Sequence, residues 1–322
     1  MPDLIALGEP MAEFAAQEEG RLGAATLFRR GWGGDTANVA VAAARLGTTA
    51  GYITRLGGDE FGRSFLDLWA RDGVDASRVI VEADGFTGVY FIALAPDGTH
   101  DFTYYRAGSA ASRLRPEDID VDYLVGARVL HTSGITQAIS NSARAAADRA
   151  IEVARAHRVT VSYDVNVRPK LRPLEEFRGI VEGTLPRADI VFLSQEDAAH
   201  LYGEIDAEAV LEGILAAGSR LAVLKLGDEG CLIASAAGER VRLPAWPVEA
   251  VDTTGAGDAF DAAFLTEWLR GEPLDRAGRF ANAVGALTAQ GVGAVAPIPG
   301  RAQVEAFLLE RERSPAKGGS KA

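Results

Sequence analysis

The sequence predicts an α/β protein built on a mostly parallel sheet with helices on both faces. Two observations carry that expectation. From residue 159 onward short apolar runs alternate with helical stretches, at 159–165, 190–193, 198–201, 209–217 and 221–226. Such alternation marks parallel strands joined by crossover helices, with ligands gathering at the carboxyl ends of the strands. The chain also has 322 residues, 48% of them hydrophobic, which suits one large α/β domain with a small appendage or two modest domains.

Taken in order, residues 4–9 read as a buried first strand ending at a glycine. Residues 11–30 alternate without a helical stripe and read as strand and loop outside the main sheet. Gly31-Trp32-Gly33-Gly34 then leads into a helix of small and apolar residues that ends at Gly47. Residues 50–57 read as a strand, followed by a helix from Gly58 to near Gly73 with Asp59 as its cap. Between Thr87 and Arg106 the pattern becomes a hairpin around Pro96-Asp97-Gly98-Thr99. Alternation puts Tyr90, Ile92 and Leu94 on one face, and Phe102, Tyr104 and Arg106 on one face of the partner strand. Residues 116–123 form a short helical or turn segment, and 127–135 a strand running into a loop, with His131 structural. Residues 140–153 form an amphipathic helix, 225–230 a strand–turn–strand, and 276–289 and 301–311 helices. The small basic tail, residues 313–322, reads as disordered.

Composition excludes several function classes. The formal net charge of -12 argues against general nucleic-acid or anionic-membrane binding. An anionic ligand then needs local Arg, Lys or backbone N–H groups. No apolar run approaches membrane-spanning length. The N-terminus lacks a basic stretch before an apolar one, and the single cysteine, Cys231, suits a reducing compartment and reads as a core thiol. The four histidines are widely spaced, and none has zinc-site spacing with a cysteine. The expectation is a soluble cytoplasmic protein.

The chemistry concentrates in Asp252-Thr253-Thr254-Gly255-Ala256-Gly257-Asp258, which precedes an apolar helical run to Leu269. Small residues let the backbone approach a ligand, and a helix start offers unpaired N–H groups with partial positive charge. Gly255, Ala256 and Gly257 are thus placed to hold an anion. Asp258, in the first helical turn, would be repelled by a static phosphate unless it takes a proton from an attacking hydroxyl. That arrangement points to phosphoryl transfer. A Gly turn followed by an Asp cap is the plainer reading of a bare G-x-G-D. Asp35 and Asn38, three apart at another helix mouth, are placed to pair with hydroxyls, although Asp35 or Thr36 also suits an N-cap.

The stretch Asp252 to Ala263 resembles the second signature of the ribokinase-like (phosphofructokinase B-type) carbohydrate kinases, and Gly31 to Ala40 the first. The resemblance covers essentially all of the chain except the tail. It implies a three-layer α/β/α sandwich with a small β-sheet lid, from about residues 11–34 and 86–108, within one kinase domain spanning 1–312. It also implies a homo-oligomer, a dimer or higher, through the lid. Within the family, Gly33-Gly34-Asp35, Tyr104 to Ala110, Ser133-Gly134-Ile135 and Asp164 to Pro169 are most similar to kinases of 2-keto-3-deoxygluconate, a sugar acid, and the last string also resembles those of fructokinases. Arg106 and Arg168, if they face one cleft, would complement a substrate carboxylate.

By that resemblance Asp258 is the general base and Gly255-Ala256-Gly257 the anion hole. Gly33, Gly34, Asp35, Asn38, Tyr90, Tyr104, Arg106, Ile135 and Arg168 contact the sugar. Asn166, Arg168, Ser194, Lys225, Gly227, Asn282 and the 255–257 turn contact ATP. Many relatives carry N-x-x-E near Mg²⁺; here Ser194-Gln195-Glu196-Asp197 stands in its place, which assigns Asp197 to magnesium across two departures. Asp252 matches a residue near a monovalent-cation loop, which raises K⁺ without deciding it. Fructokinase and ribokinase are the rival activities. A non-catalytic sugar sensor is the rival class, disfavoured because sensing needs no base. A dinucleotide-binding oxidoreductase is disfavoured because Phe260 stands where a third glycine belongs.

Overall fold

Three strands precede the first α-helix, and strand and helix alternate from residue 129 to residue 225. The computed structural model describes residues 1–94, 100–204 and 206–313. The strands are β1 (Leu4–Leu7), β2 (Met11–Glu19), β3 (Phe28–Gly33), β4 (Ala50–Gly57), β5 (Asp75–Glu82), β6 (Gly88–Leu94), β7 (His100–Tyr105), β8 (Val129–Ser133), β9 (Thr160–Asp164), β10 (Ile190–Ser194), β11 (Leu221–Lys225), β12 (Cys231–Ser235) and β13 (Arg240–Leu243). The helices are α1 (Asp35–Arg45), α2 (Glu60–Asp72), α3 (Val121–Val125), α4 (Gly134–Ala138), α5 (Asn141–Ala156), α6 (Leu174–Thr184), α7 (Gln195–Tyr202), α8 (Ala207–Ala216), α9 (Ala256–Leu269), α10 (Leu274–Ala289) and α11 (Arg301–Arg313).

The main sheet has nine strands in the order β13-β12-β11-β10-β9-β8-β1-β4-β5. From β11 to β5 every neighbouring pair is parallel, and β12 and β13 add an antiparallel edge. Strands covered on both faces need apolar side chains at successive positions rather than alternate ones. Leu-Ile-Ala-Leu in β1 meets that need and is buried throughout. One face carries α1, α2, α9, α10 and α11 around Val39, Trp69, Phe264, Val284 and Val304. The other carries α3 to α8 around Leu124, Ile151, Phe177, Leu201 and Ile214. The helix after the Gly-rich turn, α9, buries residues on every side, because sheet and helices enclose it.

A second sheet of four strands, β3-β2-β6-β7, stands apart. Its hairpin register sets Tyr90 opposite Tyr104 and Ile92 opposite Phe102. Met11, Ala15, Tyr90 and Ile92 form its inner cluster. Phe14, Phe28 and Phe91 pack together on the sheet, with Phe61 and Tyr105 against them, and Tyr105 is 62% exposed. Strand β2 pairs β6 in parallel, a long-range pairing that no local pattern announces.

Several details depart from the sequence reading. Strand β8 runs straight into a helix instead of a loop, because Ser133 caps α4 by accepting the Thr136 N–H at 3.3 Å. Strands β5 and β13 were not anticipated; β13 is a short edge strand bearing Arg240 and Arg242, charges that suit an exposed edge. Arg313 belongs to α11 rather than to a tail. The turn at 96–99, the side chain of Leu94 and the tail from 314 lie outside the described residues. Asp59 does cap α2, accepting the Gly62 N–H at 2.8 Å. His131 is buried against the Ser162 hydroxyl at 3.0 Å, and burial pushes its imidazole down to about 3, so it stays neutral.

Candidate active site

The carboxyl ends of β1, β8, β9, β10 and β11 converge with the N-termini of α1 and α9. At the latter, Gly255 is the N-cap with φ 76°, a left-handed conformation that favours glycine. A Cβ there would also lie 2.5 Å from the Ala294 carbonyl oxygen. The turn is pinned by Asp252, whose carboxylate accepts the Thr254 N–H at 2.9 Å and the Gly293 N–H at 2.8 Å. The Ala256 N–H, expected to face an anion, donates to the Thr253 carbonyl at 3.1 Å.

Asp258, the third residue of α9, accepts the Asn38 side-chain N–H at 2.7 Å. Its carboxyl is pushed up to about 7: burial is the main cause, Asp35 and Asp164 add repulsion, and Asn38 and Lys225 oppose. Yet Asp258 keeps some surface open, consistent with a group at the mouth of a site rather than in a sealed core. The buried Asn38 Oδ1 has no hydrogen-bond partner among the described residues, an acceptor that a ligand hydroxyl would satisfy. Asp35 accepts from the Asn166 amide at 3.3 Å, and Asn166 takes a left-handed φ of 43°. Neither Asp35 nor Thr36 caps α1; Gly34 does, at φ 102° and without a side-chain bond.

Gly33 and Gly34 answer to packing as well as to a ligand. A Cβ at Gly33 would meet the Tyr90 hydroxyl at 2.2 Å, and one at Gly34 the Glu9 carbonyl at 2.2 Å. That Tyr90 hydroxyl donates to Glu13, a buried carboxylate on β2 that also accepts the Ala294 N–H at 3.4 Å. Burial holds Glu13 above its ordinary range, against the pull of these two bonds. The small sheet thereby touches the loop that packs on Gly255. Tyr104 lies beside Tyr90, with ring centroids 6.1 Å apart and planes tilted by 37°.

Arg106 was expected to reach a substrate carboxylate. It is instead buried and paired with Glu9, its Nε donating at 2.7 Å, while Ser109 donates to the other Glu9 oxygen at 2.6 Å. Arg168 is half-buried and donates to the Val167 carbonyl at 2.8 Å. Ile135 lies in the first turn of α4 at the end of β8.

On the expected nucleotide side, Ser194 and Asp197 form a capping box at α7. Asp197 accepts the Ser194 N–H at 2.8 Å, the Ser194 hydroxyl at 2.7 Å and the Val167 N–H at 2.6 Å. These bonds commit the carboxylate to holding the backbone, so Asp197 acts as a capping group and not, as expected, as a magnesium ligand. Among the described residues no group of three or more His, Cys, Asp or Glu side chains is arranged to hold a metal ion. Gly227 lies in the turn between β11 and β12, and Asn282 donates to the Pro244 carbonyl at 3.1 Å.

Lys225 has partners that the sequence did not disclose: Asp164, at the end of β9, and Asp261, one turn along α9 from Asp258. Glu9 and Glu13 were missed too. The signal for Glu13 was present, since it alternates with Met11 and Ala15 on an inward face where a charge needs a partner.

A helix N-terminus with a raised, solvent-touching carboxyl, amid polar groups at strand ends, marks an α/β protein with a candidate site at the carboxyl edge of its parallel sheet. Residues 1–301 match the model of the pfkB family carbohydrate kinases, and the chain belongs to that family. It is 35% identical over 312 residues to fructokinase-1 of Oryza sativa subsp. japonica, covering 94% of this chain and 96% of that one. It is 33% identical over 312 residues to 2-dehydro-3-deoxygluconokinase of Thermoproteus tenax, covering 96% and 94%. Among solved structures, a ribokinase II of E. coli in complex with ATP and Mg²⁺ superposes with a TM-score of 0.89 at 27% identity, covering 96% of this chain and all of that one. The fold is ribokinase-like and the protein is a sugar phosphotransferase. No helix among the described residues is long and apolar enough to cross a membrane.

Proposed function

We propose that the protein transfers the γ-phosphoryl group of Mg·ATP to the terminal hydroxyl of 2-keto-3-deoxygluconate, giving 2-keto-3-deoxy-6-phosphogluconate. One observation carries the catalytic part: a carboxyl pushed up to about 7 stands in the first turn of α9, held by Asn38. A general base works best with a pKa near the operating pH. The sugar oxygen forms its bond to phosphorus as the bond to the β–γ bridging oxygen breaks. Asp258 takes the hydroxyl proton, and ADP leaves with the bridging oxygen. The amides of Gly255 and Gly257 stabilise the developing charge, the Ala256 N–H being held by the Thr253 carbonyl; one such donor is worth about 3–4 kcal/mol of barrier in other enzymes. Magnesium enters with ATP as part of the substrate.

For the sugar acid, Arg168 supplies the cationic group, with Gly33, Gly34, Asp35, Asn38, Tyr90, Tyr104 and Ile135 around the remaining atoms. Asn166, Arg168, Ser194, Lys225, Gly227 and Asn282 flank the nucleotide. The four-stranded sheet acts as a lid that excludes water, and its Phe14, Phe28, Phe91 and Tyr105 aromatics suit contact with a second copy. A dimer by light scattering is expected, and a monomer at micromolar concentration would refute that contact. A cytoplasmic location is part of this reading, and the lone buried thiol suits it.

The Glu9–Arg106 pair favours a second reading, phosphorylation of fructose, because a guanidinium already neutralised has less to offer a carboxylate. ADP release with Mg·ATP across 2-keto-3-deoxygluconate, its galacto epimer, fructose, ribose and adenosine separates them. Turnover confined to the keto-acids supports the first reading. Preference for fructose replaces it, and no turnover by the wild type removes both.

A further inference from the structure

The Lys225 ammonium donates to both oxygens of Asp261 at 3.0 Å and to Asp164 Oδ1 at 3.3 Å. The side chains are almost sealed, with exposures of 13% for Lys225, 4% for Asp164 and 0% for Asp261. A Cβ on Gly257 would lie 3.6 Å from this nitrogen, so the cation rests against the second residue of α9, within the anion-binding turn. Two carboxylates around one ammonium carry more negative charge than the ammonium balances, and burial pushes both carboxyls up. Fold stability gives no reason for that surplus, since apolar residues of similar volume commonly serve as well or better.

The chain also uses lysine sparingly. Of its 33 basic residues only Lys170, Lys225, Lys317 and Lys321 are lysines. A buried lysine in an arginine-rich chain selects a compact point charge with three donors over a planar fork. Asp261 bonds symmetrically and can share one N–H between its oxygens, and Asp164 takes another. The third remains for a ligand oxygen.

We propose that Asp261 is a positioning residue for phosphoryl transfer: it anchors the Lys225 ammonium beneath Gly257, where the third N–H meets an oxygen of the transferring group. The inference rests on the phosphotransferase reading above and adds to it a residue that touches neither substrate. The charged groups around this centre are Asp164 on β9, Asp258 and Asp261 on α9 and Asp197 on α7, with His131 on β8 near Lys225 and Asp35 on α1 near Asp258. Burial draws the Lys225 ammonium down, and the surrounding carboxylates outweigh it, so it stays protonated. An uncharged Asp261 would release the ammonium from its anchor and with it the positive charge that opposes the rise at Asp258.

The test uses the full chain with the sugar that the wild type turns over. Asp261→Asn is expected to lower kcat by about tenfold or more, the size of losing one charge-stabilising donor, and to leave the sugar KM within about twofold. The acid limb of its kcat–pH profile moves to higher pH, because Asp258 loses the anchored ammonium that opposes its rise. Lys225→Arg should reproduce the fall in kcat. A purely structural Asp261 would lower the melting temperature and leave both kcat per folded molecule and the pH limb in place, which overturns the proposal. Should Asp261→Asn not fold, ¹⁵Nζ-lysine spectra of the wild type decide. The Lys225 resonance shifts on adding Mg·ADP, aluminium fluoride and sugar if the proposal holds, and an unmoved resonance overturns it. Wild-type turnover with an indifferent Asp261→Asn sinks this inference alone, whereas an inactive wild type sinks the reading beneath it.

Discussion

Helices α7 and α9 each place an aspartate at their third residue, Asp197 and Asp258, and use it in opposite ways. At α7 the N-cap is Ser194, whose hydroxyl and N–H both donate to Asp197 in a reciprocal capping box, with the Val167 N–H as a further donor. At α9 the N-cap is Gly255, which offers no side chain. Asp258 therefore does not turn back on its own helix. It faces Asn38 from a distant segment, and burial pushes its carboxyl up to about 7. A capping side chain makes the third-position acid part of the backbone's hydrogen bonding, whereas a glycine cap leaves the acid free to titrate and the turn free to take an anion.

The largest expected effect breaks the comparison at α9. Asp258→Asn should lower kcat by about 10²–10⁴-fold, the usual worth of a positioned base, in the ADP-release assay. A variant with wild-type turnover would reduce Asp258 to the status of Asp197. The same substitution should stabilise the ligand-free fold at high pH. The Asp258 carboxyl goes from 3.8 to about 7 on folding. The folded state thus holds this proton more tightly, and that stabilisation is complete below about pH 4 and lost as pH rises through 7. Three units correspond to at most about 4 kcal/mol, less what solvent at the open face screens. Thermal melts should therefore show Asp258→Asn gaining over wild type at pH 8 and gaining little at pH 4.

Smaller effects sharpen the contrast. Asp197→Asn should cost about 1–3 kcal/mol of stability in urea unfolding, since it leaves buried donors short of an acceptor. Its loss of kcat per folded molecule should stay at least tenfold below that of Asp258→Asn; an equal loss would return Asp197 to the site. Asn38→Ala removes a bond to the ionised form of Asp258, so the acid limb of the kcat profile should rise by about one pH unit. An unmoved limb would separate Asn38 from the base. Ser194→Ala should cost about 1 kcal/mol, as loss of an N-cap does.

Much of this was legible along the chain. Gly255 to Asp258 declare themselves because a glycine turn, an acid and an apolar run are contiguous, and the helix they open is α9. Asp59 likewise sits where a cap must sit, accepting a backbone N–H at its own helix start. The hairpin facing of Tyr90 and Tyr104 follows from the two-residue period of strands. Less legible were α4 and β13, where the segment is short and its type depends on what it packs against or pairs with. Glu13 and Glu9 were hidden because a carboxylate is ordinarily exposed, and only a partner from another segment makes its burial tolerable.

The sequence by itself determined the alternation of strand and helix, the glycine turn and its acid, and membership in a family of sugar kinases, because each rests on neighbouring residues or on contiguous signatures. Only the tertiary structure decided which charges meet. Arg106 turns to Glu9, 97 residues away, and Lys225 lies between Asp164 and Asp261, at separations of 61 and 36 residues. Strand order brings these groups to one edge of the sheet, and at low dielectric an unpaired charge is costly enough that the nearest opposite charge claims it.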